Sequence, residues 1–138
     1  PFARIMELGV VRRLVQVGIR TMNGPQRAQA EKFGVEVVEM RHWEAGRSFA
    51  FDAPLYVSID LDVLDPAEMP STGTPEPGGL FFPDFSDLVH LIADRGSIIG
   101  FDVVEVNPLF DNGEITAHLA ARCILELMSG ALDRNHKA

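Results

Sequence analysis

The chain has 138 residues, 46% hydrophobic and 23% charged, enough apolar material for one modest core and no compositional sign of disorder. Its net charge of -8, with 12 scattered Lys and Arg, argues against a nucleic-acid binder, because neutralising phosphates takes clustered cations. The single Cys123 closes no intramolecular disulfide, no charged-then-apolar leader opens the chain, and no apolar run approaches the ~20 residues of a membrane span, so a reducing cytoplasm is the expected setting.

Strand and helix then alternate. "RLVQVGI" (13 to 19) reads as a short apolar strand, and "NGPQRAQAEKFG" (23 to 34) as a helix entered through Asn23, Gly24 and Pro25 and stopped by Gly34. "VEVVEM" (35 to 40) is a second strand and "PLYVSIDLD" (54 to 62) a third, followed by a loop dense in proline and glycine from Pro66 to Gly79. "PDFSDLVHLIADRG" (83 to 96) fits a helix with Pro83 in its first turn and Phe85, Leu88, Val89 and Ile92 as an inward stripe. "SIIGFDVVEV" (97 to 106) is a fourth strand, broken at Asn107 and Pro108. A last helix over roughly 114 to 129 carries Ile115, Leu119, Cys123 and Leu127 at intervals of four. No internal repeat, linker or low-complexity tract interrupts this order. Strands apolar on both faces, with helices between them, predict a parallel sheet covered on both sides, within one domain over 1–138. Such sheets place their chemistry beyond the C-terminal ends of the strands.

The third strand ends in "VSIDLDVLDP" (57 to 66). In an extended segment residues two apart share a side, which predicts that Asp60 and Asp62 project together, with Ser58 below them. Two adjacent carboxylates beside a core are costly unless a proton or a cation intervenes. A metal, or a pair of metals, is the simplest compensation. Oxygen donors favour hard divalent ions such as magnesium and manganese, and added imidazoles would move the choice among first-row metals such as manganese. An Asp at a strand end is also commonly a turn or helix cap, and a D-x-D alone does not establish a metal site. Asp65, preceding Pro66, reads as a structural turn closer that bonds nearby backbone N–H groups.

"PSTGTPEPGG" (70 to 79) is too rich in Pro, Gly and Thr for a mere connector: its prolines stiffen it and its glycines permit tight turns. The hydroxyls of Ser71, Thr72 and Thr74 could bond a polar ligand near the aspartates or simply satisfy their own loop. "GFDVVEVNP" (100 to 108) places Glu105 at the end of a strand expected to neighbour the aspartate strand, facing a cationic group in the same cleft. Asp102, of opposite parity, should point elsewhere as a structural hydrogen bonder.

Together "SIDLDVLDP", "PSTGTPEPGG" and "GFDVVEVNP" resemble the ureohydrolase family of arginases, agmatinases and related guanidino-group hydrolases. "PFARIME" and "LVQVGIR" at the front resemble the agmatinase branch in particular. The resemblance implies a three-layer α/β/α fold with a mainly parallel sheet, a centre of two manganese ions, and hydrolysis of a small guanidinium compound, agmatine-like, to urea and an amine. It implies that Asp60 and Asp62 are metal ligands, and that Thr74 and Glu105 bind the guanidinium side of the substrate. No further catalytic residue is expected in this chain.

One departure from the family pattern matters. Its other metal ligands come from an earlier Gly-Gly-Asp-His stretch and a later Asp-Ala-His-x-Asp stretch, and neither occurs here, so the chain is expected to be the C-terminal part of such a domain. The histidines that are present do not replace them. His118, with Arg122 and Glu126, reads as part of a solvated helix face; His90 sits among Asp87 and Asp94 on a polar side; His42 lies in an irregular loop and His136 in the tail. The expectation is weak or empty metal sites in the isolated chain, little turnover, and an open apolar sheet edge covered by another copy in a homo-oligomer. Two alternatives stand beside this: an inert oligomerising fragment of the same family, and a haloacid-dehalogenase-type phosphatase built on Asp60 and Asp62. The second lacks the downstream lysine that such a site needs, since Lys137 is the only one after Asp62.

Overall fold

The computed structural model describes residues 2–137, with side chains through residue 133; the side chain of His136 lies outside the described residues. The chain divides into two compact units, Pro1–Trp43 and Glu44–Ala138. Among the described residues each unit holds one two-stranded sheet, and the strands run parallel in both, as expected. Periodicity tells which segments are extended; it does not tell which edges pair.

The first unit contains α1 (Phe2–Leu8), β1 (Val15–Ile19), α2 (Gly24–Phe33) and β2 (Glu36–Glu39), followed by a 3-10 turn over Met40–His42 where a loop was expected. α1 was not anticipated: seven residues make only two turns and give little periodic signal. α2 begins as predicted. Asn23 Oδ1 accepts from the Gln26 backbone N–H at 2.9 Å, and Gln26 Oε1 accepts from the Asn23 N–H at 2.8 Å, a reciprocal capping box. Gly34, at φ 62, ends the helix in the left-handed conformation. β1 and β2 run parallel with Val15 beside Glu36 and Val17 beside Val38, and Arg13 grips the Glu36 carboxylate through two nitrogens at 2.5 and 2.8 Å.

The second unit holds β3 (Leu55–Asp60), a 3-10 turn over Leu61–Val63, α3 (Phe82–Arg95), β4 (Ile98–Val104) and α4 (Ile115–Lys137). Its core is built from Ile59, Leu61, Leu64, Met69 and Leu80 around the end of β3, Phe85, Leu88, Val89 and Ala93 on α3, and Ala120, Cys123 and Leu127 on α4. The predicted α3 stripe holds, except that Ala93 is buried and Ile92 half-buried. Among the described side chains of α4 the buried positions are Thr116, Ala120, Cys123, Leu127 and Gly130, while Ile115 is 57% exposed. Residues four apart drift round a helix by about 40° per step, so a strict interval of four leaves the packed face; the observed 4-3-4-3 spacing follows the 3.6-residue turn.

The segment Ile115–Asp133 of α4 is, by length and composition alone, apolar enough to cross a membrane, which the sequence reading had not recognised. Its apolar stripe packs on α3, and its Glu126 accepts from His90 Nε2 across the helix pair at 2.8 Å. His118 and Arg122 are exposed, as predicted for a solvated face, while Glu126 is half-buried between the helices. Helix ends here are capped from a distance. Glu68 Oε2 accepts from the Phe82 N–H at the start of α3, and Asp111 accepts from the Thr116 and Ala117 N–H groups at the start of α4.

Candidate active site

β3 and β4 pair in parallel, with Ser58 beside Asp102, Ile59 beside Val103 and Asp60 beside Val104. This is the neighbour relation predicted for the two strands, and it brings their C-terminal ends to one edge of the sheet. Asp60 is the last residue of β3. Its Oδ1 accepts from the Asp62 N–H at 3.0 Å and so starts the 3-10 turn that carries Asp62. The expectation that Asp60 and Asp62 share one face of an extended strand is thus corrected. The strand ends two residues before Asp62, so period-two geometry does not reach it, leaving Asp60 exposed and Asp62 half-buried.

The loop after this turn is folded around Asp65. Asp65 Oδ1 accepts from the Ala67 N–H at 2.9 Å, and Oδ2 accepts from Gly78 N–H at 2.8 Å and Gly79 N–H at 3.1 Å, which closes a 14-residue excursion on one carboxylate. The structural role expected of Asp65 holds. The three loop hydroxyls separate by burial. Ser71 and Thr72 are buried at 2% and 5%; Ser71 donates its hydroxyl to the Phe110 carbonyl, and its N–H donates to Thr116 Oγ1. Thr74 is exposed and donates to Asp62 Oδ2 at 2.7 Å. Of the three, Thr74 is the one bonded to the aspartate pair.

Glu105 lies just beyond β4 with φ 69, in the left-handed region that a residue with a Cβ rarely enters. Because the backbone has turned there, strand parity does not set the direction of its side chain. Its carboxylate lies directly against the α-carbon of Gly73, so closely that a Cβ at Gly73 would overlap Glu105 Oε2. The Asn107 N–H donates to the Ser71 carbonyl at 3.0 Å and ties the segment after β4 to the same loop. Asp62, Thr74, Gly73 and Glu105 therefore form one contiguous line of contacts across two strand ends. Asp102 stands apart from Glu105 as predicted. By register it belongs to the Ser58 side of the sheet, where it accepts from Ser58 Oγ at 2.7 Å and from the Tyr56 hydroxyl at 3.1 Å. Hydrogen bonding to Asp102, with burial, pushes the Tyr56 phenol above its ordinary range.

Sequence reading missed Asp111 and Thr116. Asp111 had a usable signal, a short acid a few residues before an apolar periodic segment. Burial works to raise its carboxyl, and the bonds from Ala117 and Thr116, with the nearby His118, outweigh this and hold it low. Thr116 had none, because its partner Ser71 is 45 residues away in sequence.

A profile of the Arginase family matches residues 1–130. The chain belongs to the arginase family. It is 46% identical over 135 residues to a mitochondrial arginase of Medicago truncatula, covering 92% of this chain and 39% of that protein. It is 40% identical over 142 residues to a guanidinopropionase of Pseudomonas aeruginosa, covering 93% of this chain and 44% of the other. The solved structure of the Medicago truncatula arginase superposes with a TM-score of 0.83 at 44% identity, over 95% of this chain and 42% of that one. The expected arginase-like α/β class therefore holds, and the chain spans about two-fifths of the length of these relatives. Membership in this family also sets aside the haloacid-dehalogenase-type phosphatase.

The two-manganese centre implied by the family resemblance does not fit the donors of this chain taken alone. Among the described residues no group of three or more His, Cys, Asp or Glu could hold a metal ion. Asp60 and Asp62 supply two carboxylates without an imidazole, and one oxygen of each already accepts a hydrogen bond within the turn and loop. His118 Nδ1 lies on the Glu114 carbonyl and His90 Nε2 on Glu126. A hard divalent ion takes about six ligands. Two carboxylates fill only part of such a shell.

Proposed function

We propose that this chain forms the guanidinium-facing part of a ureohydrolase site. The observation that carries the reading is the unbroken line Asp62–Thr74–Gly73–Glu105, which gathers two acids from different strand ends around one hydroxyl-bearing loop. Glu105 is the anionic partner of a planar guanidinium, and Thr74 is a polar neighbour of the same group. In the whole protein Asp60 and Asp62 donate two carboxylates to a divalent-cation centre, of manganese type, that residues outside this chain complete. The reaction adds water oxygen to the guanidinium carbon and breaks the bond from that carbon to the substituted nitrogen. The water protons go to the leaving nitrogen, giving urea and an alkylammonium ion. The part of this chain is to hold and orient the cation.

The substrate class is a small guanidino compound, with agmatine the specific candidate from the resemblance at the front of the chain. The names of the relatives, arginase and guanidinopropionase, support the guanidino group as the common element. The protein is proposed to be a cytoplasmic homo-oligomer that binds neither nucleic acid nor membranes; the net charge of -8 supports the nucleic-acid part of this and the free thiol of Cys123 a reducing compartment. A second reading, that the chain by itself turns over nothing, is favoured by the lack of a three-ligand group among the described residues. Urea release from agmatine, arginine and 3-guanidinopropionate, with manganese added, tests both. The full-length polypeptide should release urea from at least one of them, and the isolated chain from none. Silence of the full-length polypeptide on all three would sink the first reading, and turnover by the isolated chain the second.

A further inference from the structure

Gly73 has no reason in its own backbone to be glycine. Unlike Gly78, at φ 84 in the same loop, it does not occupy the left-handed region, so any L-residue could adopt its backbone conformation. Nor is it squeezed by a core, because it is exposed. What a side chain would meet is Glu105. A Cβ at Gly73 would overlap Glu105 Oε2 and lie 3.5 Å from the Glu105 carboxyl carbon, and apart from chain neighbours nothing else comes within 4 Å.

Glu105 is the other half of this arrangement. Its left-handed φ of 69 costs on the order of 1–3 kcal/mol for a residue with a Cβ and persists only where the surroundings over-determine it. The bond from Asn107 N–H to the Ser71 carbonyl is one such restraint, and Ser71 is in turn locked by Phe110 and the fully buried Thr116. The backbone on both sides of the contact is thereby fixed, so the free space above Gly73 decides where the carboxylate goes.

We propose that Gly73 is a positioning residue: its missing side chain is the seat of the Glu105 carboxylate and sets the direction from which that carboxylate meets a guanidinium cation. The inference rests on the reading of Glu105 as the anionic partner of the substrate. A methyl group at position 73 displaces the flexible end of one side chain and leaves the backbone where it is. Orientation-dependent binding should then suffer while folding does not, since a displacement of about 1 Å in a directional contact costs on the order of 100-fold in rate.

The test is made in the full-length polypeptide with manganese, on agmatine and arginine, using G73A, E105Q and the double variant. Kinetics are read together with thermal midpoints and with calorimetric binding of agmatine to the metal-free protein. The expected result for G73A is a midpoint within a few degrees of the parent and a fall of about 100-fold in kcat/KM, carried mostly by KM, with weaker agmatine binding. In the E105Q background G73A should add nothing, because a residue acting through Glu105 has no carboxylate left to place. Parent-like kinetics for G73A, or additive losses in the double variant, would overturn the proposal while leaving the role of Glu105 intact. Loss of folding in G73A would also overturn it, unless E105G restores the midpoint in the same chain and so assigns the clash to this side chain. If E105Q itself has no effect on turnover or binding, the functional reading of Glu105 fails first.

Discussion

Thr74 donates its hydroxyl to Asp62 Oδ2 at 2.7 Å and so joins the proline- and glycine-rich loop to the turn that ends β3. The bond spans 12 residues of sequence and lies at the surface, where water competes with it. Its worth lies in fixing the Asp62 carboxylate more than in holding the fold.

Thr74→Val removes this donor and keeps the shape. It should cost about 0.5–1 kcal/mol in urea unfolding, the low end for a hydrogen bond because the site is exposed. In the full-length polypeptide manganese affinity should fall measurably in titration calorimetry. Unchanged metal affinity would mean that Thr74 does not orient Asp62.

Asp65→Ala strips three backbone N–H groups, of Ala67, Gly78 and Gly79, of their shared acceptor. Charge-assisted bonds to backbone are among the stronger ones, and the loss should be about 2–3 kcal/mol in denaturant unfolding. Limited proteolysis should then cut between residues 66 and 79 well before the rest of the chain. Asp65→Asn, which keeps an acceptor oxygen, should fall between the two.

Glu126 carries a pH dependence whose sign is fixed. The hydrogen bond from His90, helped by Arg122 and opposed by burial, holds its carboxyl below the reference value of 4.5. A depressed folded value means stability that is present above the unfolded value and is lost as pH falls through the folded one. The thermal midpoint of the parent should therefore drop below pH 4.5 more steeply than that of Glu126→Gln. Parallel profiles for the two would remove His90 and Arg122 as the source of the stabilisation.

Cys123 behaves in the opposite sense. Burial on the inward stripe of α4 pushes its thiol from 9.0 up to about 12. Between those values the folded chain keeps a proton that the unfolded chain has lost, so this contribution to stability declines as pH rises above 9.0. A neutral buried thiol is also a poor nucleophile. Iodoacetamide should leave the native chain unlabelled under mildly alkaline conditions and label it promptly in urea; fast native labelling would contradict the packing described for α4.

The sequence by itself determined the alternation of strands and helices, the α2 caps at Asn23 and Gly34, the structural duty of Asp65 and the family that carries the SIDLD, TGTPEPGG and VEVNP stretches. These are local properties: side-chain periodicity, capping chemistry and turn residues act over a few positions, and each leaves a readable pattern. Tertiary structure alone decided that β3 stops at Asp60, that Ser71 and Thr72 face inward while Thr74 reaches Asp62, that Glu126 is enclosed by His90 and Arg122, and that the Glu105 carboxylate rests on Gly73. Most of these join residues far apart along the chain; the Asp60–Asp62 bond that ends β3 and the Arg122–Glu126 pair are local. A polar group has many partners of nearly equal worth available to it, and only the packing of the buried faces selects the one that it meets.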